Sequence, residues 1–221
     1  MKKDWSGWND EYFKKTPMSR LYNHPNPLVR LIERSRRVKI VQFSSINPND
    51  RVLEIGCEEG PILEQLPESK LCVGLEISSL SIKRAKQKLS SRCDFVKADG
   101  QRLPFKSNTF NVVICSETLE HVPKPEDIVE ESYRVLRKGG RFIVTVPYET
   151  YITSGKRFVE KLGLMKLLFK GIKGDTTEFH IHNFTPAQLY SLILSGKFII
   201  KKKHVFPFPI IGPIISVVAE K

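Results

Sequence analysis

A short apolar run that ends in a glycine turn constrains this chain more than any other feature. Residues 52–55 are apolar except for Glu54, and glycines follow at positions 56 and 60. Such a run, bounded by glycine, is typical of a buried strand. Glycine lets the backbone approach a ligand where a Cβ would clash, and Pro61 suits the first turn of a helix. The pattern predicts the first strand, turn and helix of a doubly wound sheet, with a ligand at the turn.

Further strands and helices follow at the spacing of such a sheet. The second strand is predicted at 71–76 and ends in Glu76, about twenty residues after the turn, where a carboxylate can accept both hydroxyls of a ribose,. The other strands are predicted at 94–98, 110–116, 141–146, from 198 and from 214, and helices at 28–43, 126–136 and 185–194. The order predicts an α/β fold. We expect a Rossmann-like doubly wound seven-stranded sheet, mostly parallel with one antiparallel strand near the C-terminus, and helices on both faces.

Three sequence words carry a resemblance to a known family. They are Val-Leu-Glu-Ile-Gly-Cys at 52–57, Leu-Glu-His-Val at 119–122 and Arg-Val-Leu-Arg-Lys-Gly-Gly at 134–140. On these words the chain resembles class I S-adenosyl-L-methionine (SAM)-dependent methyltransferases, in their broad small-molecule branch. It departs from the family at Glu58, where a second glycine is usual, and at Asn111, where an aspartate is usual. The first departure bears on the loop geometry and on how the methionine end binds.

The resemblance implies SAM as the cofactor and S-adenosyl-L-homocysteine as its product. It implies that Glu54 orders the glycine loop near the methionine ammonium, that Glu76 binds the ribose hydroxyls and that Asp99 accepts from the adenine amino group. Ile77 would pack on adenine. The implied cofactor-binding residues are Glu54, Gly56, Cys57, Gly60, Glu76, Ile77, Asp99, Gly100, Ser116 and Glu117. For each carboxylate, a helix cap or a solvated loop charge is the alternative.

Histidines after the fourth strand are candidates for the chemistry. His121 is the candidate catalytic general base, because it follows that strand and imidazole exchanges protons near neutral pH. A histidine that only hydrogen-bonds its neighbours is the alternative. Glu178, His180 and His182 alternate and would share one face of a strand,. We predict no metal site there, because two histidines and a carboxylate in a basic loop usually bind no ion, and we assign one histidine to the substrate pocket.

The charge distribution bears on the acceptor. Residues 1–51 carry 11 Lys and Arg against 5 Asp and Glu, residues 151–221 carry 11 against 4, and the middle carries 14 against 15. Basic flanks favour an anionic or membrane-surface partner, or merely confer solubility. The leading hypothesis is methyl transfer to a small-molecule or lipid-like acceptor. An RNA methyltransferase that uses the basic flanks, and a non-catalytic SAM-binding or partner-binding protein, are the alternatives.

Length and composition predict one domain over 1–221,. Its parts are a helical flank or lid (1–47), a cofactor-binding core (48–148), a lid insertion (149–185) and a last helix with two strands (186–221). Residues 156–173 form a basic amphipathic pattern, typical of a lid helix or of peripheral membrane contact. No secretory signal or transmembrane segment is recognised, so we expect a cytoplasmic protein. The four cysteines are expected to be free buried thiols, although a bond between Cys72 and Cys93 is conceivable in a thermophilic source.

Overall fold

The computed structural model describes residues 26–151, 180–206 and 212–221, together with positions 7, 10, 11, 14, 153, 154 and 161. Its helices are α1 (Pro27–Ser44), α2 (Ser79–Leu89), α3 (Pro125–Val135) and α4 (Pro186–Ser195). Its strands are β1 (Arg51–Ile55), β2 (Leu71–Glu76), β3 (Asp94–Lys97), β4 (Phe110–Ser116), β5 (Leu136–Pro147), β6 (Ile199–Phe206) and β7 (Ile214–Glu220). Short 3-10 helices lie at Leu63–Gln65 and Leu119–His121.

The seven strands form one sheet in the order β3-β2-β1-β4-β5-β7-β6. Strands β1 to β5 pair in parallel, whereas β7 is antiparallel to both β5 and β6. The predicted fold class is therefore confirmed. The chain moves outward from β1 through β2 to β3 and then returns to place β4 on the other side of β1. In open α/β sheets this switch point, at the carboxyl ends of the strands, is where ligands bind.

Side chains along the central strands point alternately to the two faces of the sheet and form two buried cores. Leu53 and Ile55 belong to a cluster with Ile128 of α3 and Leu189 of α4, so those two helices cover one face. Residues of the other parity pack with α1 and α2 in the second cluster, which contains Val52, Ile40, Ile82 and Leu89. Because each face buries an apolar layer, the central strands have almost no polar side chains except where they end.

The helix predicted after Pro61 is wrong. The chain there forms only turns and the 3-10 helix Leu63–Gln65. Leu66 is extended, with φ −67° and ψ 147°, because a residue that precedes proline avoids the helical region and Pro67 comes next. The segment returns to the sheet without a full helix.

The prediction of four free thiols is wrong for two of the cysteines. Cys72 and Cys93 form a disulfide, with their Cα atoms 4.6 Å apart. The pairing follows from strand register, because Val73 of β2 lies beside Asp94 of β3 and each cysteine comes one residue earlier. Cys57 and Cys115 are free and buried, as expected.

The C-terminal elements follow the predicted order. Thr185 and Gln188 form a reciprocal capping box at the start of α4,. Strand β5 begins at Leu136 rather than at residue 141, and its pairing with β4 shifts register between Phe110 and Val112. The helix predicted at 126–136 ends at Val135, and Gly139 lies in this irregular strand start with φ +74°.

Several expectations fall outside the described residues. They concern the lid helix 156–173, of which only position 161 is described, and Glu178. The division of 1–221 into four parts stays a prediction. Within the described part of the chain, no helix combines the length and the apolar character needed to cross a membrane.

Candidate cofactor and active site

The loop after β1 adopts backbone conformations that suit glycine. Gly56 has φ +73° and Gly60 has φ +81°. A Cβ on Gly56 would lie 2.3 Å from Thr118 Oγ1, and one on Gly60 would lie 2.6 Å from Leu89 Cδ1. Both the dihedral angles and the space therefore require glycine. Cys57 is 1% exposed, so its thiol is buried, and its backbone contribution to cofactor binding stays a prediction.

Glu76 is held in a cradle of backbone N–H groups at the end of β2. Its Oε1 accepts from Ile77 N (2.8 Å) and Ser78 N (2.9 Å), and its Oε2 accepts from Glu58 N (3.1 Å). The residue is 5% exposed, and burial raises the pKa of the carboxyl although these hydrogen bonds lower it. A carboxylate offers about four acceptor positions and three are occupied, so about one position, on Oε2, remains for a ligand hydroxyl.

Glu58 occupies the position where the family usually has glycine. It has φ +49°, in the left-handed region, and its N–H is the one that binds Glu76. The loop geometry is therefore kept despite the side chain. Burial, followed by the charge of Glu76, raises the pKa of Glu58 to about 8. The other departure, Asn111, accepts a hydrogen bond from Arg51 N at 3.0 Å.

The residues implied for the adenine lie at the same sheet edge. Ile77 follows Glu76 directly, and Ala98 N donates to Glu76 O at 3.2 Å, which brings the end of β3 beside the end of β2. Asp99 is exposed and accepts from Gln101 N at 2.9 Å and from Gln101 Nε2 at 3.1 Å. A Cβ on Gly100 would lie 2.7 Å from Ile55 Cγ2. The predicted residues of β1, β2 and β3 are thus neighbours.

Ser116 and Glu117 end β4 on the other side of β1. Ser116 Oγ lies 2.9 Å from Thr145 Oγ1, which donates to Glu117 Oε1 at 3.1 Å. Thr118 Oγ1 donates to Ser116 O at 3.1 Å and contacts the position where Gly56 excludes a side chain. The end of β4 is therefore locked to β5 and to the glycine loop.

Arg36 and Asp10 belong to the site but have no local sequence signal. Arg36 of α1 donates to Ser116 Oγ at 3.4 Å and lies 3.7 Å from Glu117 Oε2. Asp10 Oδ1 accepts from Ser78 Oγ at 2.5 Å and from Leu80 N at 3.1 Å, at the start of α2. Each contact joins residues 68 or more apart in sequence. Only the tertiary fold reveals them.

The predicted base, His121, lies beside a second histidine. The rings of His121 and His180 are 4.9 Å apart, and His180 Nδ1 lies 2.6 Å from Glu149 Oε1. His182 turns elsewhere, with Nε2 3.0 Å from Val122 O. His180 and His182 lie outside any strand, so the alternation of this segment does not place them on one strand face.

Carboxyl groups dominate the electrostatics of this sheet edge. Burial is the first cause that raises the pKa of each of five groups, which are Glu54, Glu58, Glu76, Glu117 and Glu120. The charge of Arg36 lowers the pKa of four of them, Glu76 being the other. Glu54 Oε2 is buried and has no hydrogen-bond partner among the described residues. An environment of this kind favours a ligand that carries positive charge.

Comparisons with known proteins agree with this geometry. Residues 53–144 match the family model described as a methyltransferase domain. Cycloartenol-C-24-methyltransferase 1 of Oryza sativa subsp. japonica is 34% identical over 131 residues, covering 54% of this chain and 38% of that protein. Ubiquinone/menaquinone biosynthesis C-methyltransferase UbiE of Agrobacterium fabrum is 30% identical over 132 residues, covering 60% and 46%. The chain therefore spans less than half of the length of these two relatives.

A solved structure shows the same fold. The SAM-dependent methyltransferase from Mesorhizobium loti superposes with a TM-score of 0.65 at 16% identity, covering 85% of this chain and 98% of that one. Family and fold together imply SAM as the cofactor, and a cation with an ammonium, a sulfonium and ribose hydroxyls suits the carboxylates found here. The match over residues 53–144 and the sheet order identify a methyltransferase domain with the class I SAM-dependent fold in this part of the chain.

Proposed function

We propose that this protein transfers a methyl group from SAM to a lipid-like acceptor. The Glu76 carboxylate carries the cofactor part of the proposal, because three backbone N–H groups hold it at the end of β2 beside the left-handed loop. An acidic residue in this place of a doubly wound fold binds ribose hydroxyls. The surrounding carboxyl groups favour the positive charge of SAM over a neutral nucleoside.

Different residues would bind different parts of the cofactor. Glu54 and the glycine loop would hold the methionine end, Glu76 the ribose, and Ile77 with Asp99 the adenine. When bound, SAM supplies a methyl group whose bond to the sulfonium sulfur breaks as the acceptor's electron pair attacks the carbon, leaving S-adenosylhomocysteine. The chain's own task is to hold the reactants in line and exclude water.

An oxygen or carbon acceptor must also lose a proton. His121 is the proposed group to take it, because the ring is partly exposed, with 39% of its side chain accessible, at the end of β4. The Glu149–His180 pair lies beside it. A base in this position would face an acceptor that approaches the strand ends from outside the sheet.

The acceptor class rests on the relatives. Besides the rice and Agrobacterium proteins, the sterol 24-C-methyltransferase ERG6 of Saccharomyces cerevisiae is 35% identical over 117 residues. Their names specify methylation at carbon, of cycloartenol or a sterol in two cases and in ubiquinone and menaquinone biosynthesis in the third. Apolar molecules of that kind are the acceptors we propose here.

Calorimetry with Glu76→Ala tests the cofactor assignment. Loss of hydrogen bonds to a charged group should weaken SAM binding by about 1 to 3 kcal/mol. Glu68→Ala is the matched control, because Glu68 is exposed in the connection before β2. Equal SAM affinity of a folded Glu76→Ala variant and the control would refute the assignment.

Radiolabelled SAM tests the acceptor. Label should pass into sterol or quinone precursors offered in detergent micelles and should not pass into bulk RNA. The RNA alternative predicts instead that binding occurs at low salt and falls steeply as counterions are released at higher salt. If the label passes into RNA and not into the lipid precursors, the lipid proposal is refuted and the RNA alternative takes its place.

A further inference from the structure

One cluster next to the strand-end site has an unsatisfied carboxylate at its centre. Glu120 is 0% exposed, and both of its carboxylate oxygens lack a hydrogen-bond partner among the described residues. One ligand atom each from Glu120, His121 and His180 lie within 4.8 Å of one another. His121 Nε2 lies 3.9 Å from Glu120 Oε1, beyond hydrogen-bond distance. Burying a carboxylate without a hydrogen bond costs several kcal/mol, so this group requires either a proton or a positively charged partner.

The electrostatic surroundings favour neutralisation of Glu120. The carboxylate has no exposed surface, so water does not compensate its charge. A bound proton relieves this strain but does not explain why two imidazoles face the same group. A cation would satisfy the carboxylate and both rings together.

Neighbouring groups hold the histidines in a defined arrangement. Glu149 Oε1 lies 2.6 Å from His180 Nδ1, which directs the Nε2 lone pair of that ring away from Glu149. Histidines that bind metals almost always donate their other N–H to a carboxylate or carbonyl, which fixes the tautomer. Ile181 N and His182 N donate to Glu120 O at 2.7 and 3.1 Å, so the segment that carries His180 is anchored to the one that carries Glu120.

We propose that Glu120, His121 and His180 bind a divalent cation of the zinc or manganese class, with Glu149 orienting His180. Two imidazoles and one carboxylate match the ligand set of catalytic zinc sites, which leave a further position open. His121, partly exposed, provides the route from solvent. This inference goes beyond the cofactor assignment, and only its catalytic consequence rests on the proposed function.

The catalytic consequence is that a bound cation would select the acceptor. A cation here would lie beside Glu117 at the end of β4, where the acceptor approaches in the proposed reaction. It would bind an acceptor oxygen as a Lewis acid and lower the pKa of its hydroxyl. His121 would then act as a ligand instead of as a general base. Acceptors that carry a hydroxyl or enol beside the methylated atom would be preferred.

Cobalt titration of the full chain after chelator treatment tests the site. Co²⁺ is the probe because its visible absorption reports coordination geometry, and Zn²⁺ should displace it. We expect wild type to bind one ion per chain, and His121→Asn and His180→Asn to lose the absorption. Glu149→Gln should weaken binding about 10- to 100-fold, as loss of an outer partner does. His182→Asn is the matched control, because the His182 ring contacts Val122 O instead of the Glu120 carboxylate. This variant should bind the ion as wild type does.

Two results would overturn the site. One is absence of Co²⁺ and Zn²⁺ binding by folded wild type, and the other is equal binding by His121→Asn, His180→Asn and His182→Asn. If substitutions at the buried positions prevent folding, the His121→Asn variant still tests the site, because His121 is partly exposed. SAM calorimetry on the same wild-type sample separates the two proposals, because SAM binding without metal binding removes only this site. Metal binding without SAM binding removes only the proposed function.

Discussion

Replacing Glu58 by glutamine removes a carboxyl group from the loop while keeping the length of the side chain. The variant should be more stable than wild type near and above neutral pH. The backbone remains in the left-handed region in both proteins, so the strain of φ +49° cancels in the comparison. What differs is a carboxyl group crowded by burial and by Glu76.

The expected size follows from the shifted titration. The pKa of Glu58 rises from 4.5 to about 8 in the folded protein. Each pKa unit corresponds to about 1.4 kcal/mol, so the shift sets an upper limit of about 3 kcal/mol at pH 7. Since the side chain is partly exposed, solvent screening reduces the effect, and we expect about 1 to 2 kcal/mol.

The sign of the pH dependence is fixed by the direction of the shift. The folded state holds the proton more tightly than the unfolded state, so stability is greatest below pH 4.5 and falls as pH rises toward 8,. The advantage of Glu58→Gln should therefore be small at pH 5 and grow through pH 6, 7 and 8. Urea unfolding at these four pH values, without SAM, measures it.

Glu59→Gln is the matched control for this series. Glu59 is adjacent and buried, but it pairs with Arg84 at 2.8 Å and Lys88 at 3.5 Å. The same substitution there should destabilise the protein, by up to about 1 kcal/mol for partly exposed pairs. A stability difference between wild type and Glu58→Gln that stays constant from pH 5 to pH 8 would refute the argument that this carboxyl titrates against its neighbours.

Three further outcomes are expected. Denatured protein should show two thiols before reduction and four after it, and Cys93→Ala should lower stability by about 3 kcal/mol, since the bond closes a loop with a sequence separation of 21,. Gly74→Ala should cost about 1 to 3 kcal/mol in urea unfolding, because its Cβ would lie 2.7 Å from Cys57 Sγ with two more contacts at 2.9 Å,. The affinity ratio of SAM to S-adenosylhomocysteine, which lacks the sulfonium charge, should increase between pH 6 and pH 9 in calorimetry, and Glu58→Gln should flatten that increase.

Strands could be predicted well because their signals are local. The runs at 71–76 and 110–116 match β2 and β4 to the residue, since polar or turn residues bound each apolar stretch. The helix expected after Pro61 failed although its correction was present in the sequence. Pro67 forces Leu66 into an extended conformation, and the apolar residues before it have no room for a helix,.

Residues that depend on tertiary placement could not be predicted. Arg36 is one of three arginines between positions 34 and 37, and nothing in their spacing indicates which one reaches Ser116. The Cys72–Cys93 bond depends on the register between β2 and β3, which an unaligned pair of apolar strands does not specify,. Disulfides are rare in a reducing cytosol, so the expected cytoplasmic location stays a prediction.

The acidity of the site connects these observations. A neutral ligand would leave Glu54 and Glu58 repelling each other and Glu76, and the charge of Arg36 offsets part of that repulsion. SAM carries a sulfonium and an ammonium against one carboxylate, so it brings a net positive charge to this sheet edge. Because the repulsion exists before binding, part of the affinity for SAM comes from its relief, and that part disappears when methyl transfer removes the sulfonium charge. The departure at Glu58 therefore favours release of the product as well as binding of the donor.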